Sequence, residues 1–185
     1  SSAVSPYTDA PIFAKAFTAL GSNPLLGMLV GVAVTALLQS SSASVGVLQA
    51  ISSTGTVTFS MAAPIIMGQN IGKCVTVLIA SIGTSKKAKR AVYIDLIVNM
   101  LGAAFFLIVV YGYQALVGFP FWDDVVNRGN IADFHSLFNI VTCVLVFPFT
   151  NQLIQFSRHL VKDGEASKIE EGLAALNDIF LNTPS

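Results

Sequence analysis

Residues 35–44 read Thr-Ala-Leu-Leu-Gln-Ser-Ser-Ser-Ala-Ser, a run of hydroxyl groups and one amide inside an apolar segment that extends from Leu25 to Ile51. A helix needs about 20 apolar residues to cross the hydrocarbon core of a bilayer, and the apolar arms on both sides of this run are shorter. Consecutive serines compete for backbone hydrogen bonds and weaken a helix interior. The sequence therefore predicts a helix break at Gln39–Ser42, near mid-membrane and facing the protein interior, because broken backbone at that depth must be covered by protein or line a wet cavity. The alternative is a continuous helix whose serines bond to its own carbonyl groups.

The composition is that of an integral membrane protein. Of the 185 residues, 54% are hydrophobic and 11% are charged, and the mean hydropathy is +0.71, whereas soluble domains carry about 25% charged residues. We therefore predict an all-α membrane protein. A formal net charge of zero argues against a nucleic-acid partner. Cys74 and Cys143 both fall in apolar segments, so we interpret them as small buried hydrophobic residues rather than a disulfide or a metal pair.

The chain divides into three parts. Residues 1–24 predict a short lead-in helix in the membrane interface, with a disordered lead-in as the alternative. Residues 25–160 make up the transmembrane part, in which residues 91–117 and 134–156 can each cross the membrane. Residues 161–185 predict a polar amphipathic tail outside the membrane.

The distribution of charge predicts the orientation. The basic loop at residues 86–90 faces the cytoplasm under the positive-inside rule, with a phosphate- or nucleotide-binding patch as the alternative reading of the same residues. A second basic group at residues 158–162 falls on the same side, and so does the tail that follows it. The aspartates between residues 118 and 133 suit the external side.

A second polar block interrupts the apolar segment at residues 59–81. Residues 68–73 read Gly-Gln-Asn-Ile-Gly-Lys; the glycines free the backbone, while Gln69 and Asn70 each offer a carbonyl acceptor and amide donors. We predict a break here, with a half-helix that begins near Ile71 and points its positive N-terminal end at the serine block. Lys73 is costly in this place unless it is paired or reaches a watery edge.

The two polar blocks together resemble motifs of the type II sodium/phosphate cotransporter family, and of its bacterial members in particular. The resemblance extends to Thr76, to residues 88–91 and to Phe-His-Ser-Leu-Phe-Asn at residues 134–139, in that order. It implies helical hairpins with broken helices, in a fold of two inverted repeats that each carry one Gln-Ser-Ser-Ser block. The chain holds one such block and is similar to the second repeat, so it would be one half of the inverted-repeat transporter fold. Its C-terminal end is similar to the lead-in of a PhoU-like cytoplasmic domain that is absent here.

The resemblance also implies a function and a site. It implies sodium-coupled transport of inorganic phosphate across the cell inner membrane by a multi-pass protein, with this chain supplying one repeat of the site. The candidate binding residues lie in both polar blocks, namely Gln39, Ser40, Ser41, Ser42 and Asn70, with Thr35, Gln69 and Lys73 beside them. The candidate sodium ligands are Ser41, Ser42 and Asn70; Na⁺ is the coupling ion, and no cofactor is expected. The expected partners are phosphate, sodium, membrane lipid, and the other repeat or a second copy of the chain.

Two residues depart from the family pattern. Lys73 stands where the family usually has Thr, and Asp95 stands where it usually has His. Because Asp95 and Asn99 are four residues apart, they share one helix face. An ion pair between Lys73 and Asp95 would remove much of the cost of two intramembrane charges. The favoured alternative is that Asp95 bonds to Asn99 or His135, and that Lys73 reaches solvent, the membrane interface or substrate.

Two other classes of function compete with transport. An intramembrane serine hydrolase would need a nucleophilic serine beside a base, but the chain has no Gly-x-Ser-Gly motif, and a triple-serine block is not how one nucleophile is presented. We therefore predict that the protein is not an enzyme. A non-transporting membrane interaction or phosphate-sensing module is the stronger alternative, because one repeat alone lacks half of the expected site.

Overall fold

The computed structural model describes residues 23–162, and every regular element in that range is a helix. In chain order the elements are α1 (Pro24–Leu38), α2 (Ser41–Ser52), α3 (Phe59–Ala80), α4 (Lys86–Leu116), α5 (Arg128–Val146), a 3₁₀ turn (Phe147–Phe149) and α6 (Thr150–Leu160). The all-helical prediction is confirmed for this range. The predicted lead-in helix and the predicted tail fall almost entirely on residues 1–22 and 163–185, which lie outside the described residues.

Three helical segments of the described part are long and apolar enough to cross a membrane. These are α3, α4 and the run from Arg128 to Leu160, which joins α5 and α6 through the 3₁₀ turn. The segments α4 and α5 are antiparallel, since Gly102 packs against Thr142, whereas Phe106, one turn later in α4, packs against the earlier residues Phe134 and Phe138. Two segments of spanning length therefore separate the basic loop from the second basic group, and their antiparallel packing is what two crossings would require.

Helices α1 and α2 form a hairpin, and neither helix is among the segments long enough to cross a membrane. The hairpin packs on α3, with Met28 of α1 against Gly68 and Thr35 of α1 against Gly72, so α1 and α3 run in the same direction. Helix α2 returns toward the start of α5, where the Gln49 side chain donates to the carbonyl of Arg128 over 3.1 Å. The hairpin thus enters the bundle from the end at which α3 and α5 begin, and its tip lies within the length of α3.

The prediction of a break in the second polar block is wrong. Helix α3 runs without interruption through 22 residues, so no half-helix begins near Ile71. The two glycines serve close packing instead: a Cβ atom on Gly68 would overlap the carbonyl of Met28, and one on Gly72 would press on Thr35 and Val32. Glycines that let two helix backbones approach are a common packing device in membranes. The two glycines were expected to free the backbone for a break. In the structure they allow α1 and α3 to pack closely.

The two ends of the bundle differ in character. At the end where α3 and α5 begin, the Phe59 ring makes edge-to-face contacts with Phe121, Trp122 and Phe134. The loop between α4 and α5 is fixed to α3 at this end, because the amide of Phe59 donates to the carbonyl of Asp124 over 3.0 Å. We call this end the acidic end, after the aspartates of residues 123–133. The opposite end, which contains residues 86–90 and 158–162, is the basic end.

Candidate functional site

The serine block breaks the helix as predicted. Leu38 is the last residue of α1; Gln39 follows with left-handed backbone (φ 51°, ψ 25°), and Ser40 is extended. Ser40 then caps α2, because its hydroxyl accepts a hydrogen bond from the amide of Ala43 over 3.2 Å. The first N–H groups of a helix have no partner within it, and they give that end a partial positive charge. The helix N-terminus at this site is therefore that of α2, in place of the predicted half-helix in α3.

The orientation of the block differs from the prediction. Ser40 and Ser41 are half-buried, but Gln39 and Ser42 are exposed on the surface of this chain, so residues 23–162 alone do not give these two side chains the interior position that was predicted. The physical reason is the hairpin itself, because a tip that projects beyond its own two helices has few neighbours to cover it. The Ser42 hydroxyl has one hydroxyl neighbour, that of Ser40, at 3.3 Å.

Two hydroxyls that flank the block take the interior positions. The Thr35 hydroxyl donates to the Ser44 hydroxyl over 2.8 Å, and both side chains are 0% exposed. The Gln69 amide group donates to the backbone carbonyl of Ser44 over 3.0 Å. This chain of bonds joins α1, α2 and α3 directly below the tip. The sequence analysis did not assign a role to Ser44. The signal that could have indicated this role is its position one turn after the predicted helix break.

Two buried carbonyl oxygens of α3 have no partner within residues 23–162. They are Oε1 of Gln69 and Oδ1 of Asn70, on side chains that are 0% and 1% exposed. The amide nitrogen of Asn70 donates within the helix, to the carbonyl of Ile66 over 3.0 Å. A buried acceptor without a donor costs roughly 1–3 kcal/mol, and such exceptions in folded proteins call for an explanation. Each oxygen can accept from a hydrogen-bond donor or coordinate a cation.

Lys73 and Asp95 do not form the ion pair considered from the sequence. Within the described part of the chain, the side chain of Lys73 is half-buried and has no hydrogen-bonding or ion-pair partner. Asp95 instead accepts from the Cys74 thiol at 3.2 Å and from the Asn99 amide at 3.0 Å. The favoured alternative, in which Asp95 bonds to Asn99, is confirmed.

The two cysteines have different environments. Both are free. Cys74 is buried as predicted, but its thiol is a hydrogen-bond donor rather than a simple hydrophobic group. Cys143 is exposed on the surface of the chain, so the prediction of a buried residue is wrong there.

The structure brings some of the candidate residues together and leaves others apart. Thr35 and Gln69 meet at Ser44, and Ser40 lies beside Ser42. Asn70 and Lys73 occupy the adjoining turn of α3, but the described residues show no hydrogen bond between either side chain and the serine block. The arrangement offers donors at the tip of the hairpin and buried acceptors on α3.

The sequence of this chain matches the model of one known protein family. The model described as Na+/Pi-cotransporter matches residues 9–121, a region that contains both polar blocks and all of α1 to α4. The chain belongs to the Na+/Pi-cotransporter family. This agrees with the resemblance of the two polar blocks, and a transporter family implies a membrane protein that is not an enzyme.

Relatives of the Na+/Pi-cotransporter chain are found in bacteria and animals. It is 33% identical to the uncharacterized protein YqeW of Bacillus subtilis (strain 168) over 67% of its own length and 39% of that protein. It is 44% identical to human sodium-dependent phosphate transport protein 2B, over 38% of its own length and 11% of that protein. It is 24% identical to Escherichia coli (strain K12) YjbB, named provisionally as an inorganic phosphate export protein, over 87% of its own length and 29% of that protein. The chain thus spans about two fifths or less of these relatives. No solved structure matches it.

Proposed function

We propose that this chain supplies one half of a phosphate and sodium site in a sodium-coupled phosphate transporter of the cell inner membrane. The observation that carries the proposal is the position of the serine block. Ser40, Ser41 and Ser42 form the N-terminal cap and first turn of α2, at the tip of a hairpin that ends within the length of α3. Broken helices whose N-termini point at anionic substrates are a recurring feature of transporter sites.

Phosphate would bind at the tip of the hairpin. The N-terminus of a helix attracts anions through its free N–H groups and its dipole, and the serine hydroxyls and the Gln39 amide add donors on short side chains. A site of neutral donors also avoids the cost of a fixed charge that is left unpaired after phosphate departs. This chemistry favours reversible binding, which transport requires.

Sodium would bind at the oxygen-rich side of the same region. The unpartnered carbonyl oxygens of Gln69 and Asn70 are hard neutral ligands, and the hydroxyl oxygens of Ser41 and Ser42 are of the same kind. Oxygen groups from a broken helix and from side chains replace the hydration shell of alkali ions in other transport proteins. A cation beside the phosphate would also reduce the cost of placing an anion at membrane depth.

The exposure of Gln39 and Ser42 supports a site completed by other residues. Polar side chains at membrane depth need a polar partner or a wet cavity, and this chain by itself covers neither. We therefore propose that a second inverted repeat or a second copy of the chain packs over the tip. The basic end and the tail would lie in the cytoplasm, since the lysines and arginines of residues 23–162, apart from Lys73 and Arg128, lie at that end.

Phosphate uptake into proteoliposomes tests the proposal. The purified chain is reconstituted, and radiolabelled phosphate uptake is measured with an inward sodium gradient, with a potassium gradient and with no gradient. We expect sodium-dependent uptake that is reduced at least tenfold in both Ser41→Ala and Ser42→Ala, while the helix content stays unchanged. Uptake that is equal under the three gradients would contradict sodium coupling, and unchanged kinetics in both variants would contradict the assignment of the serines.

A mass measurement on the same sample tests how the site is completed. In detergent, we expect a dimer or larger species in the preparation that transports. A monomer that transports phosphate would refute the requirement for a second half. Phosphate binding without any uptake by a dimeric preparation would favour the phosphate-sensing module instead.

A further inference from the structure

Two basic stretches that are far apart in sequence form one surface at the basic end. The guanidinium of Arg90, in the first turns of α4, donates two hydrogen bonds to the carbonyl of Val161, at 3.0 Å from Nε and 2.8 Å from Nη2. This contact holds the end of α6 beside the beginning of α4. The surface collects the cationic side chains of both stretches, namely Lys86, Lys87, Lys89, Arg90, Arg158 and Lys162.

The positive charges at the beginning of α4 lie at the end of the helix where the helix dipole disfavours cations. Lys86, Lys87 and Lys89 occupy the first turn of α4, and no acidic residue accompanies them there. A helix N-terminus carries partial positive charge, so cations there are unfavourable, and the lysines also repel one another. Arg158 and His159 lie in the last turn of α6, which is the favourable end. An anion outside the described part would relieve the unfavourable charges on α4.

Helix α6 continues the run of α5 along α4 and ends at the basic end. Its inner side is marked by Ser157, which is 1% exposed, and α6 packs along α4. Phe156 and Leu160 stay about half exposed, at 52% and 49%, beside an exposed polar side that ends in Arg158 and His159. Basic side chains at the end of a helix that also carries exposed apolar groups extend to the level of the lipid headgroups.

We propose that the surface formed by the N-terminal turn of α4 and the C-terminal turn of α6 binds the headgroup of an anionic phospholipid. The lysine ammonium groups and Arg158 contact the lipid phosphate, while Phe156 and Leu160 contact the acyl chains. The surface directly adjoins the apolar part of α4, which begins at Ala91, and this places the cations at headgroup depth. Clusters of four or more Lys and Arg residues next to a membrane span are typical of anionic lipid recognition.

A lipid suits this surface better than free inorganic phosphate. Exposed lysines bind a phosphate group weakly from water, whereas lipid is present at high local concentration and brings acyl chains that cover Phe156 and Leu160. The free-phosphate site proposed above uses neutral donors at the hairpin tip, on a different part of the molecule. The lipid proposal therefore stands or falls independently of the transport proposal.

Native mass spectrometry of the detergent-solubilised chain tests the proposal. The chain is titrated with phosphatidylglycerol or phosphatidylcholine of identical acyl chains, and the bound lipid is counted. The variant Lys86→Gln/Lys87→Gln/Lys89→Gln removes the charges, and Lys86→Arg/Lys87→Arg/Lys89→Arg keeps them as the matched control. Thermal unfolding checks both variants, and we expect the glutamine variant to unfold no earlier than the parent because it loses repulsion at the helix N-terminus.

We expect phosphatidylglycerol to bind at least tenfold more tightly than phosphatidylcholine. The preference should disappear in the glutamine variant and persist in the arginine variant, since each basic residue at a membrane surface contributes to attraction of anionic lipid. Sodium phosphate should displace phosphatidylglycerol no more than sodium sulfate of equal ionic strength does.

Three results would overturn the proposal. The first is equal binding of the two lipids by the parent chain, and the second is an unchanged preference in the glutamine variant. The third is phosphatidylglycerol binding that is absent from the parent chain but present in Asp163→Asn/Glu165→Gln. That result would assign the surface to the chain's own acidic tail.

Discussion

The hydroxyl of Thr35 donates a 2.8 Å hydrogen bond to the hydroxyl of Ser44 across the helix break, and neither side chain is exposed. The bond joins the last turn of α1 to the first turn of α2, so it closes the hairpin just below its tip. The carbonyl of Ser44 in turn accepts from Gln69 on α3. The exposed serines of the tip are thus supported by a second row of polar groups that is fully buried.

The first prediction concerns this bridge. Thr35→Val removes the hydroxyl with little change in shape and leaves the Ser44 hydroxyl buried without its partner. We expect a loss of about 1–3 kcal/mol in the free energy of unfolding in detergent, and a similar loss in Ser44→Ala. The double variant should lose less than the sum of the two single losses, because the second change removes a group that is already unpaired. Strictly additive losses would mean that the two hydroxyls do not support one another.

The second prediction concerns the contact between α1 and α3. A Cβ atom on Gly31 would overlap the carbonyl of Ile65, and one on Gly68 would overlap that of Met28. We expect Gly31→Ala and Gly68→Ala each to destabilise the chain by about 1–3 kcal/mol or more through overpacking. Gly46→Ala on α2 is the matched control, since a Cβ atom there meets nothing within 4 Å. It should be neutral or stabilising by up to about 1 kcal/mol. Equal thermal stability of all three variants would contradict the packing role of Gly31 and Gly68.

The third prediction concerns the unpartnered oxygen of Asn70. We expect sodium chloride, but not choline chloride, to raise the unfolding temperature of the chain, because a ligand that binds the folded state stabilises it. Asn70→Leu should abolish this sodium effect. Without sodium, the variant should be as stable as the parent or more so, because it also removes a buried acceptor that has no donor.

Asn139→Leu provides the control for that experiment. The Asn139 amide donates to the carbonyl of His135 four residues earlier, as Asn70 does to Ile66, so both variants lose the same kind of bond within a helix. The sodium-dependent rise in unfolding temperature should persist in Asn139→Leu. A rise of equal size in Asn70→Leu would rule out Asn70 as a sodium ligand.

The fourth prediction concerns the charged residues that depart from the family pattern. Because Lys73 and Asp95 form no ion pair, a double-mutant cycle with Lys73→Met and Asp95→Asn should give a coupling energy near zero. A cycle with Cys74→Ala and Asp95→Asn should give a coupling of about 0.5 kcal/mol or more, since these two side chains are in direct contact. Both cycles are measured as unfolding in detergent. A coupling energy above about 0.5 kcal/mol between Lys73 and Asp95 would show that these two side chains do form an ion pair in detergent.

Several features could be read from the sequence because their causes are local. The break after Leu38 follows from three consecutive serines, whose side chains compete with the helix backbone. The bond between Asp95 and Asn99 follows from their spacing on one helix face. The two basic groups lie at the same end of the bundle because two apolar segments of spanning length separate them.

Other features were missed because they depend on contacts between distant residues. The sequence does not distinguish a glycine that allows a helix break from a glycine that allows a neighbouring helix to pack closely. Gly68 and Gly72 are of the second kind, since α1 packs against them. The role of Ser44 became visible only when Thr35 and Gln69 were placed beside it.

The sequence by itself determined the membrane class, the family and the position of the helix break. These depend on composition, on short motifs and on the backbone preferences of neighbouring residues. Only the tertiary structure decided that α3 is continuous, that Thr35 and Ser44 are buried while Gln39 and Ser42 are exposed, and that two carbonyl oxygens of α3 lack a partner. Burial and hydrogen-bond partners are set by which helices pack together, and that packing depends on the whole chain rather than on any one segment of it.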